Sequence, residues 1–392
     1  MKKANFIIGT LSSGGAERVV SNITLNYNRD IETGIILYGD NAKIEYPYNG
    51  ELIYLDFYSH SNIYKKAKAI IKRIKKVKGL KNSDITTISL LEYNNLLNLL
   101  TRRNGKTVIS VRNHMSTKHK NGIKSRIWNL ITRHLYSKAD LIIAVSEEIK
   151  HDLIANYKIN GVKIKVIYNS FDIKEIKRLS DEAIDNEYED IFNKPVIITA
   201  GRLKGQKGHW HLIRAFFEVK KQVDAKLVIL GEGDLKGYLT ELAEDLGLKD
   251  DVYFLGFQNN PFKYIARSKV FVMSSLYEGF PNALAEAMAC GVPVISGDCK
   301  SGPREILAPD EFEKEIIEYN TDKNRYGVLL PVCDGIKYRA TDPITAQEKM
   351  MAKAMVELLK DKNKHSFYAG QAIKRVGDFD IDRIIKEWES VI

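Results

Sequence analysis

The chain has 392 residues, 44% of them hydrophobic and 28% charged. That composition excludes a mostly disordered, collagen-like or coiled-coil chain. The length implies about two domains, because a single core rarely grows past ~250 residues. The 60 Lys and Arg against 50 Asp and Glu leave a formal charge of +10, and no apolar run approaches the ~18 residues of a membrane span.

The stretch Phe6–Ile8 reads as a buried first strand, too short in apolar residues to be a secretory signal. The helix Ser13–Asn26 follows, then strands Thr33–Tyr38 and Leu52–Leu55. Helix Lys65–Lys78, strand Thr86–Leu90, helix Asn95–Arg103 and strand Thr107–Val111 come next. Helix Lys124–Ser137, strand Leu141–Val145, helix Glu147–Tyr157 and strand Lys165–Ile167 complete a first alternation. An acidic linker, helical or irregular, is expected at 173–194. A second alternation runs through Val196–Ala200, His209–Gln222, Lys226–Leu230, Leu235–Leu246, Val252–Leu255, Pro261–Ala266, Val270–Met273, Asn282–Ala289 and Pro293–Ser296. A final helix, Ile381–Val391, has Ile384, Ile385 and Trp388 to bury. Apolar strands alternating with helices predict an α/β protein of two facing doubly wound parallel sheets.

The charge is uneven. Residues 1–172 carry 28 basic and 14 acidic side chains, or +14, and the remainder carries −4. No acid lies between Asp56 and Asp84, or between Glu92 and Asp140. The first of these stretches holds the basic helix at 64–81. There Ala67, Ile70, Ile71, Ile74 and Val77 recur at helical spacing under a cationic face. Such a helix suits a solvated surface, anionic lipid headgroups or nucleic acid. Sparse aromatics disfavour a platform for stacking bases.

Three cysteines (Cys290, Cys299 and Cys333) show no Cys-x-x-Cys spacing. They suggest neither a disulfide framework nor a zinc site, and fit a reducing, cytoplasmic setting. The two Asp-x-Asp patterns at Asp378–Asp382 read as surface or capping carboxylates, so no metal or other cofactor is expected.

Several loops carry chemistry. Gly14 and Gly15 sit in the first strand-to-helix turn, where backbone N–H groups can approach a phosphate. The turn matches neither the phosphate-loop nor the dinucleotide spacing. Gly231 and Gly233 follow a strand but miss the dinucleotide register, so a nicotinamide cofactor is rejected. Arg202 and Lys207 lie in a glycine-bearing loop, and suit a diphosphate as fork and point charge. In Glu278-Gly279-Phe280-Pro281-Asn282-Ala283-Leu284-Ala285-Glu286, Pro281 suits a first helical position. The helix N-terminus makes an anion site, and Glu278 and Glu286 flank it, suited to sugar and ribose hydroxyls.

These residues carry a resemblance. The Glu-x₇-Glu pair, the Gly-Arg-…-Lys-Gly loop, the Gly-Gly-Ala-Glu-Arg turn and Ser301-Gly302-Pro303-Arg304-Glu305 together resemble retaining glycosyltransferases of family 4, with the GT-B fold. In particular the chain resembles the bacterial members that assemble capsule, exopolysaccharide, O-antigen and lipid-linked oligosaccharide. The resemblance implies an acceptor-side domain over 1–172 with a returning helix at about 378–392, and a donor domain over 195–377. It implies a nucleotide-sugar donor, most often a UDP-sugar, and a polyprenyl-linked or glycolipid acceptor, handled without a metal on the inner face of the membrane. Arg202 and Lys207 would grip the diphosphate, with backbone near Gly14, Gly15 and Phe280–Leu284. Glu286 would hold ribose and Glu278 the donor sugar, with Gly231, Gly233 and Phe257 near the base and ribose. Either Arg112 or His114 would stand near the sugar. A non-hydrolysing nucleotide-sugar epimerase of the same fold and a basic nucleic-acid-binding or scaffold protein are the alternatives.

Overall fold

The computed structural model describes residues 2–12, 14–28, 30–38, 44–55, 63–118, 123–312 and 326–392. Two compact units emerge: Met1–Ser170 with Ile381–Ile392, and Phe171–Asp380.

Unit 1 contains β1 (Lys2–Ile8), α1 (Gly15–Asn26), β2 (Ile31–Leu37), β3 (Glu51–Tyr54), α2 (Ile63–Gly79), β4 (Ile85–Leu90) and α3 (Glu92–Leu100). It continues through β5 (Thr107–Val111), α4 (Met115–Lys118), α5 (Ile123–Tyr136), β6 (Leu141–Ala144), α6 (Glu147–Ala155) and β7 (Ile164–Val166). Its seven strands run in the order β3-β2-β1-β4-β5-β6-β7, with each described pairing parallel. Period-two alternation divides β1 between two cores. Phe6 and Ile8 meet Val19, Val20 and Ile23 of α1, while Ile7 meets Val77 of α2 and Leu97 of α3.

Unit 2 contains α7 (Ile173–Ser180), β8 (Val196–Ala200), α8 (His209–Lys220), β9 (Lys226–Leu230), α9 (Lys236–Asp245), β10 (Val252–Gly256) and α10 (Phe262–Ile265). It continues through β11 (Val270–Met273), α11 (Asn282–Ala289), β12 (Val294–Gly297), α12 (Pro303–Leu307), β13 (Val328–Leu330), α13 (Ala346–Lys360) and α14 (Lys362–Val376). The six-stranded sheet has the order β10-β9-β8-β11-β12-β13. The last helix, α15 (Ile381–Glu389), belongs to unit 1. Its Ile381, Ile384, Ile385 and Trp388 join the α1 core, and Glu389 accepts the Asn28 backbone N–H at 2.9 Å.

Some expectations need correction. The segment read as a linker has the helical character expected, as α7 and a 3₁₀ stretch, Asn186–Asn193, but groups with unit 2. Ile176, Ile184 and Ile191 are buried there, and Asp185 binds Lys263 on α10 at 2.7 Å. Apolar anchoring therefore outweighs the acidic composition. Helix α3 begins three residues before its expected start, at Glu92 rather than Asn95. The first helix begins at Gly15, and the expected start at Ser13 lies outside the described residues. In α2 the side chains of 63–67, Ala67 among them, are likewise outside. Of the expected apolar stripe Val77 is buried, but Ile70 and Ile71 are 42% and 55% exposed. Ala69 instead turns inward.

Candidate functional site

Strand order reverses direction between β8 and β11 in unit 2, and between β1 and β4 in unit 1. Loops leaving adjacent strands in opposite directions open a crevice at the carboxyl ends of the sheet, the usual ligand position in such folds.

In unit 2 the loop after β8 carries Arg202 and a 3₁₀ turn, Gly205–Lys207, that leads into α8. The loop after β11 carries Glu278. Adjacency of β8 and β11 brings these loops together although 71 residues separate the partners. Lys207 donates its ammonium to Glu278 Oε1 at 2.6 Å, with side chains 21% and 9% exposed. Gln206 reaches the other carboxylate oxygen at 3.4 Å and donates to Tyr277 O at 2.8 Å. The Glu278 backbone is fixed as well: its N–H donates to Lys300 O at 2.9 Å, and its carbonyl accepts from Ser301 N at 3.0 Å. Arg202 is exposed, and its side chain takes no hydrogen bond or ion pair among the described residues.

Phe280 is buried, stacked 6.4 Å from Phe171 and edge-on 5.3 Å from Phe379. Its ring anchors the loop. Pro281 is the N-cap of α11, one position earlier than expected, and Asn282, Ala283 and Leu284 form the first turn. Glu286 is buried on the same helix. Gly302 has a φ of 97°, and a Cβ there would stand 2.5 Å from Pro281 Cδ. The Ser301–Gly302 segment thus braces the Glu278–Pro281 loop through a contact that only glycine allows.

Gly231 and Gly233 serve a related purpose. A Cβ would meet Gly201 O at 2.2 Å and Leu203 O at 2.5 Å, respectively. The loop after β9 is therefore pressed onto the Arg202 loop, and Leu203 N donates to Glu232 O at 2.8 Å. Phe257, just past β10, is 63% exposed. His209 opens α8 beside Lys207, buried with Nδ1 unpartnered among the described residues. Burial, reinforced by the Lys207 charge, pushes its pKa down to about 3, so the ring is neutral near pH 7.

In unit 1, Gly14 is the extended N-cap of α1 and Gly15 its first residue. A Cβ on Gly14 would overlap Glu17 Oε2, so the Glu17 carboxylate folds back over the helix start. Arg112, after β5, donates to Asn169 Oδ1. Burial pulls its guanidinium down to about 10, opposed by Glu17. Arg112 thereby stands near Glu17 in the first turn of α1. His114 does not share that setting. It is buried on the α6 side, 3.6 Å from both Asp152 and Glu148. Asp152 also accepts the Met115 and Ser116 N–H groups at the start of α4. Among the described residues no His, Cys, Asp and Glu group is arranged to hold a metal ion. Asp378 pairs with Arg375 at 2.6 Å. Gln206, Glu17 and Asn169 carried no role in the sequence reading. Only the Gly-Gly-Ala-Glu-Arg motif hinted at one of them.

Two Rossmann-like parallel units, each with loops gathered at a switch point, define the protein class. Sequence comparison matches residues 13–175 to a family described as Glycosyltransferase Family 4, and residues 154–326 to one described as Glycosyl transferases group 1. An uncharacterized glycosyltransferase of Methanocaldococcus jannaschii is 38% identical over 84% of this chain and 83% of its own. The N-acetylgalactosamine-N,N'-diacetylbacillosaminyl-diphospho-undecaprenol 4-alpha-N-acetylgalactosaminyltransferase of Campylobacter jejuni is 33% identical over 93% of this chain and 99% of its own. The solved structure of Anabaena HepE in complex with UDP superposes with a TM-score of 0.74 at 20% identity, covering 100% and 99% of the two chains. This chain belongs to the family 4 glycosyltransferases and has the GT-B fold. It is a glycosyl-transferring enzyme.

Proposed function

We propose that the enzyme moves a sugar from a nucleoside-diphosphate sugar, a UDP-sugar in the first instance, to a hydroxyl of a lipid-linked saccharide, with retention of configuration. The observation carrying this reading is the loop cluster at the β8/β11 switch point. There Lys207, at the end of the loop that carries Arg202, meets Glu278 just before α11, and Glu278 and Glu286 are both buried. Charge develops on the diphosphate as the glycosidic bond breaks. Lys207, Arg202 and backbone N–H groups stabilise it where it appears, a task that calls on no metal ion. Glu286 is assigned to the ribose hydroxyls and Glu278 to the donor sugar. In unit 1, Arg112 rather than His114 is assigned to the reacting sugar, because the α6 carboxylates engage His114. The Gly14–Gly15 turn supplies a further phosphate contact by family resemblance.

The lipid-linked acceptor is supported by the diphospho-undecaprenol substrate in the name of the C. jejuni relative. A Salmonella typhimurium relative is named lipopolysaccharide 1,6-galactosyltransferase. Helix α2 suits the surface on which such an acceptor resides. Lys68, Lys72, Lys75, Lys76 and Lys78 are exposed beside Ile70 and Ile71. Lysines attract anionic headgroups, each by about 1 kcal/mol, and aliphatic tips can enter the interface. No helix among the described residues is long and apolar enough to cross a membrane. We therefore place the enzyme peripherally on the cytoplasmic membrane face.

Substitution tests the donor site. Lys207→Ala and Arg202→Ala should each lower kcat/KM about 10- to 100-fold, the value of a charge-assisted contact of roughly 1.5–3 kcal/mol. Unchanged transfer in both variants sinks the diphosphate assignment. Conversion of the donor without acceptor would instead reveal an epimerase.

A further inference from the structure

The cation assigned to the diphosphate is already occupied. Lys207 spends its charge on Glu278 at 2.6 Å, and the pair is held from several sides. Gln206 steadies the carboxylate, and Ser274 Oγ donates to Lys207 O at 2.9 Å. The lysine stem lies over Gly201, where an added Cβ would stand 3.2 Å from Lys207 Cε. The Ser274 and Gly201 contacts hold the Lys207 backbone and stem, so its ammonium alone can re-aim. Both are largely sheltered from water, so their attraction is screened less than at an open surface.

We infer that Glu278 makes the site discriminate between the intact sugar nucleotide and the spent nucleoside diphosphate, by competing with phosphate for Lys207. The inference rests on the reading of Lys207 as a diphosphate ligand and Glu278 as a sugar ligand. When a sugar is present, its hydroxyls donate to the Glu278 carboxylate. That engagement frees Lys207 to face the phosphates. After transfer the sugar has left with the acceptor. Glu278 then has no hydroxyl donor, reclaims Lys207, and leaves the diphosphate with one fewer unneutralised cation. Arg202 has no such carboxylate among the described residues, so Lys207 alone carries the switch. His209 cannot substitute as a second cation, because it is buried beside Lys207. Gln206 is a positioning residue, holding the carboxylate in the orientation that pairs with Lys207.

Calorimetric titration with UDP, inorganic pyrophosphate and an intact UDP-hexose tests this. Pyrophosphate reads the cradle independently of the base. In Glu278→Gln, which keeps the shape and removes the charge, UDP and pyrophosphate should bind about ten-fold tighter, and UDP should become a stronger product inhibitor. The UDP-hexose should bind no tighter than to the wild type. Gln206→Ala should shift UDP affinity in the same direction by about two- to three-fold. In a Lys207→Met background, Glu278→Gln should change UDP affinity less than two-fold. Unchanged or weakened UDP binding in Glu278→Gln overturns the inference. An equal gain in the Lys207→Met background also overturns it, since the effect would then be general charge relief. If Lys207→Met leaves the affinity of the wild type for the UDP-hexose, and of Glu278→Gln for UDP and pyrophosphate, unaltered, the diphosphate reading of Lys207 itself fails.

Discussion

Replacing Gly302 with Ala perturbs the Glu278–Pro281 loop, which we assign to the donor, from behind, without replacing a residue assigned to the substrate. The backbone there has φ 97° and ψ −50°, a region that L side chains rarely adopt, at a cost of about 1–3 kcal/mol. The new methyl would also stand 2.5 Å from Pro281 Cδ and 3.2 Å from Gly279 O. Pro281 is a rigid ring at the start of α11, so the Glu278–Pro281 loop must move as a whole. The sum is about 3 kcal/mol, equivalent to roughly 6–12 °C in the melting temperature of a unit of this size. Gly370→Ala is the control. Gly370 lies inside α14, and no heavy atom stands within 4 Å of its added Cβ. It should gain about 0.5–1 kcal/mol from helix propensity. Thermal unfolding reads both changes, and donor KM separates loop displacement from general softening. A Gly302→Ala protein with wild-type melting temperature and donor KM would refute the bracing argument.

Other predictions follow the same logic. Glu348 is fully buried, where it accepts from Arg214 Nε at 2.9 Å and lies 2.8 Å from His211 Nδ1. Glu348→Ala leaves a buried guanidinium without its anion and should cost about 3–5 kcal/mol in chemical denaturation; a loss below ~1 kcal/mol contradicts this. Lys81 is buried and donates to Asn98 O at 2.8 Å, and burial pushes its pKa down to about 7. Between that value and the ordinary lysine range the unfolded chain binds a proton that the folded chain has released. Stability should therefore rise with pH above 7, by at most ~1.4 kcal/mol per unit, and Lys81→Met should lack that slope. Equal slopes for the two proteins would refute it. The double substitution Ile70→Ser with Ile71→Ser should weaken flotation with phosphatidylglycerol vesicles at least several-fold while leaving melting temperature nearly unchanged, since both side chains are exposed. Vesicle binding insensitive to these residues and to salt would return α2 to being a solvated face.

Most strands could be read from the sequence because both faces of each sheet are covered. Their β-branched runs then stand out without regard to partner. The Glu278–Pro281 segment was legible for a different reason: a glutamate, a glycine and a proline crowd one strand-to-helix turn, and a second glutamate follows inside the helix. Contacts between distant segments were not legible. Lys207 and Glu278 meet only because β11 pairs with β8, and no local spacing announces that adjacency. The separate fates of Arg112 and His114 depend on Asn169 after β7 and on the carboxylates of α6. The sense of α2 was misjudged for a physical reason. Five apolar residues at helical spacing define a stripe wider than the sheet covers, so Ile70 and Ile71 remain in solvent. Helices α13 and α14 were absent from the sequence reading; α13 is fixed by a capping box of Thr345 and Glu348 that also anchors Arg214.

The central claim is a retaining transfer from a nucleoside-diphosphate sugar. It is tested most directly by following the anomeric proton in NMR while the purified enzyme is supplied with UDP-sugars and a polyprenyl-diphosphate-linked saccharide. The account predicts a new α-glycosidic signal that grows as UDP is released and requires the acceptor. A β-linked product, or a donor consumed equally well without acceptor, would contradict it.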